Sequence, residues 1–150
     1  MNLKEKIDRD LKDSMRSGDK IRLQTVRSIR ALILEFEKSG KNREMTHEEE
    51  IQLLTSASKK RKEAMEQYIN ANRLDLSDKE EAELKIIQSY LPEQLNEEQV
   101  KEEIKRIALE IGASVKEDFP KLMPAAIKAL KGKADGKLIK TIVELTLSGN

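Results

Sequence analysis

Apolar residues recur along this chain every three or four positions, and no stretch alternates as a strand would, so the pattern predicts helices from end to end. Leu3, Ile7, Leu11 and Met15 predict a first helix from about Asn2 to Arg16. Ser17-Gly18-Asp19 then supplies a stop glycine and an N-cap aspartate within three residues, a turn short enough for an antiparallel helix pair. Leu23, Val26, Ile29, Ile33 and Phe36 carry a second helix from Lys20 to about Lys38, which Ser39-Gly40 stops. Thr46 and Glu49 form a capping box and open a long third helix through Ile51, Leu54, Ser58, Met65 and Tyr68, with Arg61 out of place on its apolar face.

Residues 70–76 break the pattern, and Ser77 with Glu80 predicts the cap of a fourth helix, with Leu76 stapling back onto it. That helix meets Tyr90-Leu91-Pro92-Glu93-Gln94-Leu95, where proline disfavours the helical conformation at Leu91 and removes a backbone donor. Asn96 and Gln99 form a second capping box, and Val100, Ile104, Ile107 and Ile111 predict a fifth helix ending at Gly112. A short sixth follows from Asp118 to about Leu130, with Leu122, Ile127 and Leu130 inward and a kink or late start expected at Pro124. Asp135 caps a last helix whose stripe reads Leu138, Ile142, Leu145 or Thr146, and Leu147. The predicted fold is all-α: an N-terminal long-helix domain over residues 1–91, then a small three-helix C-terminal domain over 92–150, with Tyr90, Leu91 and Leu95 packed about the hinge.

Composition sharpens this picture. Over 150 residues, 37% are hydrophobic, 38% charged and 3% aromatic, which favours amphipathic helices with broad solvated faces and leaves few rings for stacking bases. The absence of cysteine excludes disulfides and thiolate metal sites and is compatible with a reducing compartment, so a cytoplasmic protein is expected. The first residues mix both charges without an apolar core, so no signal peptide is expected, and no run has the length to span a membrane.

Catalytic chemistry finds little purchase. The single histidine, His47, stands in the first turn of the third helix, where a surface residue is expected. Neither a thiol nucleophile nor a Ser-His-Asp set can be assembled, and Glu48-Glu49-Glu50 and Glu80-Glu81 sit where the helix dipole already accounts for acids. No catalytic residue, metal site or cofactor is assigned.

Charge, in contrast, is segregated. Between residues 121 and 140, Lys121, Lys128, Lys131, Lys133, Lys137 and Lys140 oppose Asp135 alone, a net +5, whereas residues 93–117 carry a net −3. Gly132 and Gly136 flank the basic turn, and the last helix begins beside them. Lysines, a glycine turn and a helix N-terminus together are the parts of an anion site. The turn is no P-loop, being one residue short and lacking the metal-binding Ser or Thr. The candidate phosphate-contacting residues are therefore Lys121, Lys128, Lys131, Gly132, Lys133, Gly136, Lys137 and Lys140, which become the candidate RNA-binding residues through the resemblance that follows.

Four segments in order, Lys60-Arg61-Lys62-Glu63, Asn72-Arg73-Leu74-Asp75-Leu76, Tyr90 to Leu95, and Lys131 to Lys137, resemble the GatB/YqeY family. That family is similar to the C-terminal tail of the B subunit of the tRNA-dependent amidotransferase. The resemblance implies a helical N-terminal part, a three-helix C-terminal part and contact with tRNA. Its family-level label, carbon–nitrogen ligase with glutamine as amide donor, belongs to the full enzyme, whose catalytic core has no counterpart here. Where members commonly read Asp-Met-Gly-Lys-Val-Met-Gly, this chain has Asp118-Phe119-Pro120-Lys121-Leu122-Met123-Pro124, replacing both glycines by proline and losing two N–H donors. The expected function is a non-catalytic tRNA-binding accessory module in amidotransfer or aminoacyl-tRNA synthesis. The alternative is an adaptor that docks on an amidotransferase or an aminoacyl-tRNA synthetase through exposed apolar positions such as Leu53 and Ile86.

Overall fold

The computed structural model describes residues 1–148 and is all-α, with seven α-helices and no strand among the described residues. The helices are α1 (Leu3–Ser17), α2 (Lys20–Phe36), α3 (His47–Asn70), α4 (Leu74–Gln88), α5 (Glu97–Ile111), α6 (Phe119–Leu130) and α7 (Gly136–Leu147). The chain divides into two compact units, Met1–Leu91 and the remainder from Pro92.

In the first unit, Leu3, Ile7, Val26, Ile29, Ile33, Leu54, Ala57 and Ile87 form the core, with Tyr90 and Leu91 packed against it. The α1 stripe departs from strict four-residue spacing. Four residues advance a helix by 400°, so the face drifts about 40° per step; Asp10 and Ser14 turn inward while Met15 is 52% exposed. Ser14 satisfies its hydroxyl on the Asp10 carbonyl at 2.7 Å. Asp10 accepts the Tyr90 hydroxyl and has Arg9 at 3.4 Å and Arg22 at 3.5 Å, so its buried charge is compensated. Burial, and then the bond to Asp10, pushes the Tyr90 phenol well above its ordinary range.

Arg61 sits on the apolar face of α3 because α4 offers it carboxylates. Its Nε donates to Glu83 at 2.9 Å, Glu80 lies at 3.6 Å, and Nη2 donates to Ser28 of α2 at 3.4 Å. The α3–α4 turn also differs from expectation. Asn72 takes the left-handed conformation (φ 58°), the Arg73 N–H bonds to the Tyr68 carbonyl at 2.8 Å, and α4 starts at Leu74. Ser77 is consequently buried inside α4 and caps nothing, and Leu76 lies within the helix too.

The second unit packs α5, α6 and α7 around Val100, Ile104, Ile107, Leu122, Ala126, Leu130, Ile139, Ile142 and Val143, with Leu95 against them. Asn96 and Gln99 close the expected capping box, and Gly112 ends α5 in the left-handed region at φ 71°. A turn of 3₁₀ helix, Lys116–Asp118, leads into α6. α6 runs unbroken from Phe119 through Pro124, without the late start expected there. Pro124 has no N–H to give to the Pro120 carbonyl one turn back, and Pro120 is an exposed residue. In α7 the buried stripe is Ile139, Ile142, Val143 and Leu147, and Leu145 faces solvent.

Candidate nucleic-acid interface

The α6–α7 turn is built from the backbone outward. Gly132 adopts φ 78°, which a glycine permits, and it is buried. The Lys133 N–H and the Ala134 N–H both return to the Leu130 carbonyl, at 2.9 and 3.3 Å. Two bonds from the segment after Pro92 hold the turn from the other side. Gln94 Nε2 donates to the Gly132 carbonyl at 2.6 Å and to the Pro92 carbonyl at 3.0 Å, and the Leu95 N–H donates to the Lys133 carbonyl at 2.8 Å. Gln94 was absent from the residues singled out for this site. Its position in the Tyr90–Leu95 segment was the available signal, but its partner lies 38 residues away and no local pattern reveals it.

This geometry changes what the turn can offer an anion. Asp135 caps α7 and takes the Lys137 N–H at 3.1 Å, placing a carboxylate where the free helix N–H groups were expected. The Lys133, Ala134 and Lys137 N–H groups are thus committed inside the protein. What remains on offer is side chains: Lys121, Lys128, Lys131, Lys133, Lys137 and Lys140 are all exposed. Lys121 and Lys128 share one stripe of α6, seven residues apart, and Lys137 and Lys140 share one of α7. Gly136 opens α7 with no heavy atom within 4 Å of where a Cβ would stand, so no steric demand for glycine exists there.

The glutamates of α5 are largely spent on α5 itself. Arg106 bonds Glu103 at 2.8 Å and Glu110 at 2.7 Å, and Lys101 stands between Glu97 and Glu98 at 3.8 and 3.6 Å. The Glu103 carboxyl is held below its usual range chiefly by Arg106, with Lys133 a smaller influence. Asp118 is likewise held down by the N–H groups of Ser114 and Val115, with a lesser pull from Lys121. Among the described residues, no carboxylate comes within ion-pair distance of the six lysines.

Elsewhere, His47 is exposed at the start of α3, 3.4 Å from Glu50. No cluster of three or more His, Asp or Glu among the described residues has an arrangement that could hold a metal ion, and no helix is long and apolar enough to cross a membrane. The two apolar positions expected to be exposed, Leu53 and Ile86, are half-buried.

The family model described as "Yqey-like protein" matches residues 4–147. The chain belongs to the Yqey-like protein family. Among relatives of this Yqey-like protein, "Altered inheritance of mitochondria protein 41, mitochondrial" of Pyrenophora tritici-repentis is 33% identical over 128 residues, covering 83% of this chain and 69% of the relative. An uncharacterized protein of Schizosaccharomyces pombe is 34% identical over 94 residues, covering 61% of this chain and 74% of its own. The Vanderwaltozyma polyspora protein of the same mitochondrial name is 32% identical over 83 residues, and the match spans 45% of its length. These names overturn the cytoplasmic expectation, since the relatives assigned to a compartment are mitochondrial proteins. A cysteine-free helical composition fits any reducing compartment, so it had no power to separate the two.

Proposed function

We propose that this Yqey-like protein is a non-catalytic accessory module that binds tRNA in amidotransfer or aminoacyl-tRNA synthesis, through the lysines of α6, α7 and the turn between them. The two units would then be the N-terminal helical part and the C-terminal three-helix part that the likeness to the amidotransferase B-subunit tail implies. The observation that carries the reading is a held basic turn: six exposed lysines without carboxylate partners among the described residues, on a backbone tied by Gln94 and Leu95. Folded RNA is recognised largely through phosphate, 2′-OH and shape, which asks for cations in a fixed arrangement and few aromatic rings. The mitochondrial names of its relatives suit a role in an organelle that translates its own messages.

Lysine acetylation followed by mass spectrometry, with and without bound tRNA, tests this reading. Protection of Lys131, Lys133 and Lys137 by tRNA is expected, and uniform labelling of all lysines would overturn the site. A second reading, an adaptor on an amidotransferase or synthetase, draws on the α3–α4 turn, where Ile69 and Leu74 are 52% and 59% exposed. A complex with either enzyme that survives high salt and nuclease, and is lost on Leu74→Asp, would favour it.

A further inference from the structure

A cavity of about 280 Å³ opens in the second unit, where the start of α6 meets the end of α7, and Lys116, Phe119, Glu144 and Leu147 line it. Lys116 begins the 3₁₀ turn that leads into α6, and Phe119 is the first residue of α6. Glu144 and Leu147 stand three residues apart in the last turn of α7, so they share one of its stripes. Phe119, half-buried, and Leu147, buried, give the cavity its apolar walls. Lys116 and Glu144 are exposed and give it one charge of each sign. Among the described residues, no ion pair joins these two or engages either of them. Asp118 is turned to the Ser114 and Val115 N–H groups at 2.8 and 3.1 Å, and the exposed Glu117 does not line the cavity. Lys140, one turn before Glu144, is exposed and makes no ion pair with it.

We propose that this cavity binds a free α-amino acid with a bulky apolar side chain, of which leucine is the type. The ligand's side chain lies against Phe119 and Leu147, its carboxylate meets Lys116 and its ammonium meets Glu144. Other ligands leave part of the lining unanswered. A phosphate or an RNA strand gains nothing from apolar walls and is repelled by Glu144. A neutral hydrocarbon uses neither charge. A partner helix, about 10 Å across, is too wide for a cavity of this size. The cavity shares no residue with the basic turn, so the two sites stand or fall separately.

The probes are leucine, alanine, N-acetylleucine, which has no ammonium, and leucinamide, which has no carboxylate. Each is titrated into the isotope-labelled full chain and followed by amide NMR. Leucine should give saturable shifts at Lys116, Phe119, Glu144 and Leu147. Alanine, which lacks the apolar body, should bind at least about tenfold more weakly. Each derivative loses one exposed ion pair and should bind about two- to fivefold more weakly. Lys116→Gln should weaken leucine and N-acetylleucine by that factor and leave leucinamide unchanged. Glu144→Gln should weaken leucine and leucinamide and leave N-acetylleucine unchanged. Both positions are exposed, so the melting curve should not move. No saturable shift with leucine, shifts mapped elsewhere, or affinities that ignore the two substitutions would overturn the proposal. So would N-acetylleucine binding as tightly as leucine, which would assign the cavity to the carboxyl end of a peptide.

Discussion

Replacing Gln94 by Ala isolates the fastening of the basic turn from its charge. Two hydrogen bonds vanish, to Gly132 at 2.6 Å and to Pro92 at 3.0 Å, and no lysine is touched. Gly132 is buried, so its carbonyl is left without its partner from Gln94. Net hydrogen bonds contribute about 0.5–1.5 kcal/mol each and an orphaned buried acceptor costs about 1–3 kcal/mol, so a loss of about 1–2 kcal/mol is expected. For a domain of about 60 residues each kcal/mol moves Tm by about 4–8 °C, so the second unit should melt about 4–16 °C earlier. Calorimetry reads that shift, and hydrogen exchange should find the Lys133 and Ala134 amides opening faster while the α1 amides keep their rates. Because the lysines remain, tRNA affinity should fall from lost order while its salt slope stays the same. An unshifted melt with unchanged exchange at the turn would refute the view that Gln94 holds it.

Tyr90→Phe removes a hydrogen bond to the buried Asp10 carboxylate and should lower the stability of the first unit by about 1.5–3 kcal/mol, read from the urea midpoint; an unmoved midpoint would show the bond to be idle. The Glu49 carboxyl is driven down to about 2, first by Arg43 and then by the Thr46 N–H. A lowered carboxyl stabilises the folded state fully above its unfolded value and loses that effect as pH falls, so the first turn of α3 should fray between about pH 4.5 and 2. Glu49→Gln should flatten that acid dependence, and a variant whose exchange still tracks pH in this window would contradict the assignment. Gly132→Ala, at φ 78°, should cost about 1–2 kcal/mol of left-handed strain. Gly136→Ala, in open space at the start of α7, should be neutral or stabilise by up to about 1 kcal/mol, so the two thermal shifts should differ in sign or sharply in size.

Features of the fold that depend on neighbours in sequence were legible before the structure. Both capping boxes, Thr46 with Glu49 and Asn96 with Gln99, are local hydrogen-bond exchanges within three residues, and Gly18 and Gly112 close α1 and α5 in the left-handed region. Features that depend on a partner far along the chain were not. Arg61 looked misplaced because Glu80 and Glu83 arrive from another helix. Asp10 and Ser14 took the buried places because a four-residue stripe drifts around the helix, and α4 began at Leu74 because Asn72 turned the chain before Ser77 could cap it. The same division runs through the candidate site. The lysines were visible as composition, but Asp135 occupying the start of α7 and Gln94 holding Gly132 are facts of the folded turn. The proposed anion site therefore changes from a backbone cradle to a set of exposed lysine side chains carried on a held turn.

The central claim is that these lysines meet RNA phosphates, and the direct measurement is tRNA affinity over a salt series for the wild type and for the variant with Lys131, Lys133 and Lys137 all changed to Ala. With about four phosphates engaged, log K against log[salt] should slope at roughly −3 to −4 for the wild type and fall towards about −1 for the triple variant. Equal affinity and equal slope for the two proteins would contradict it.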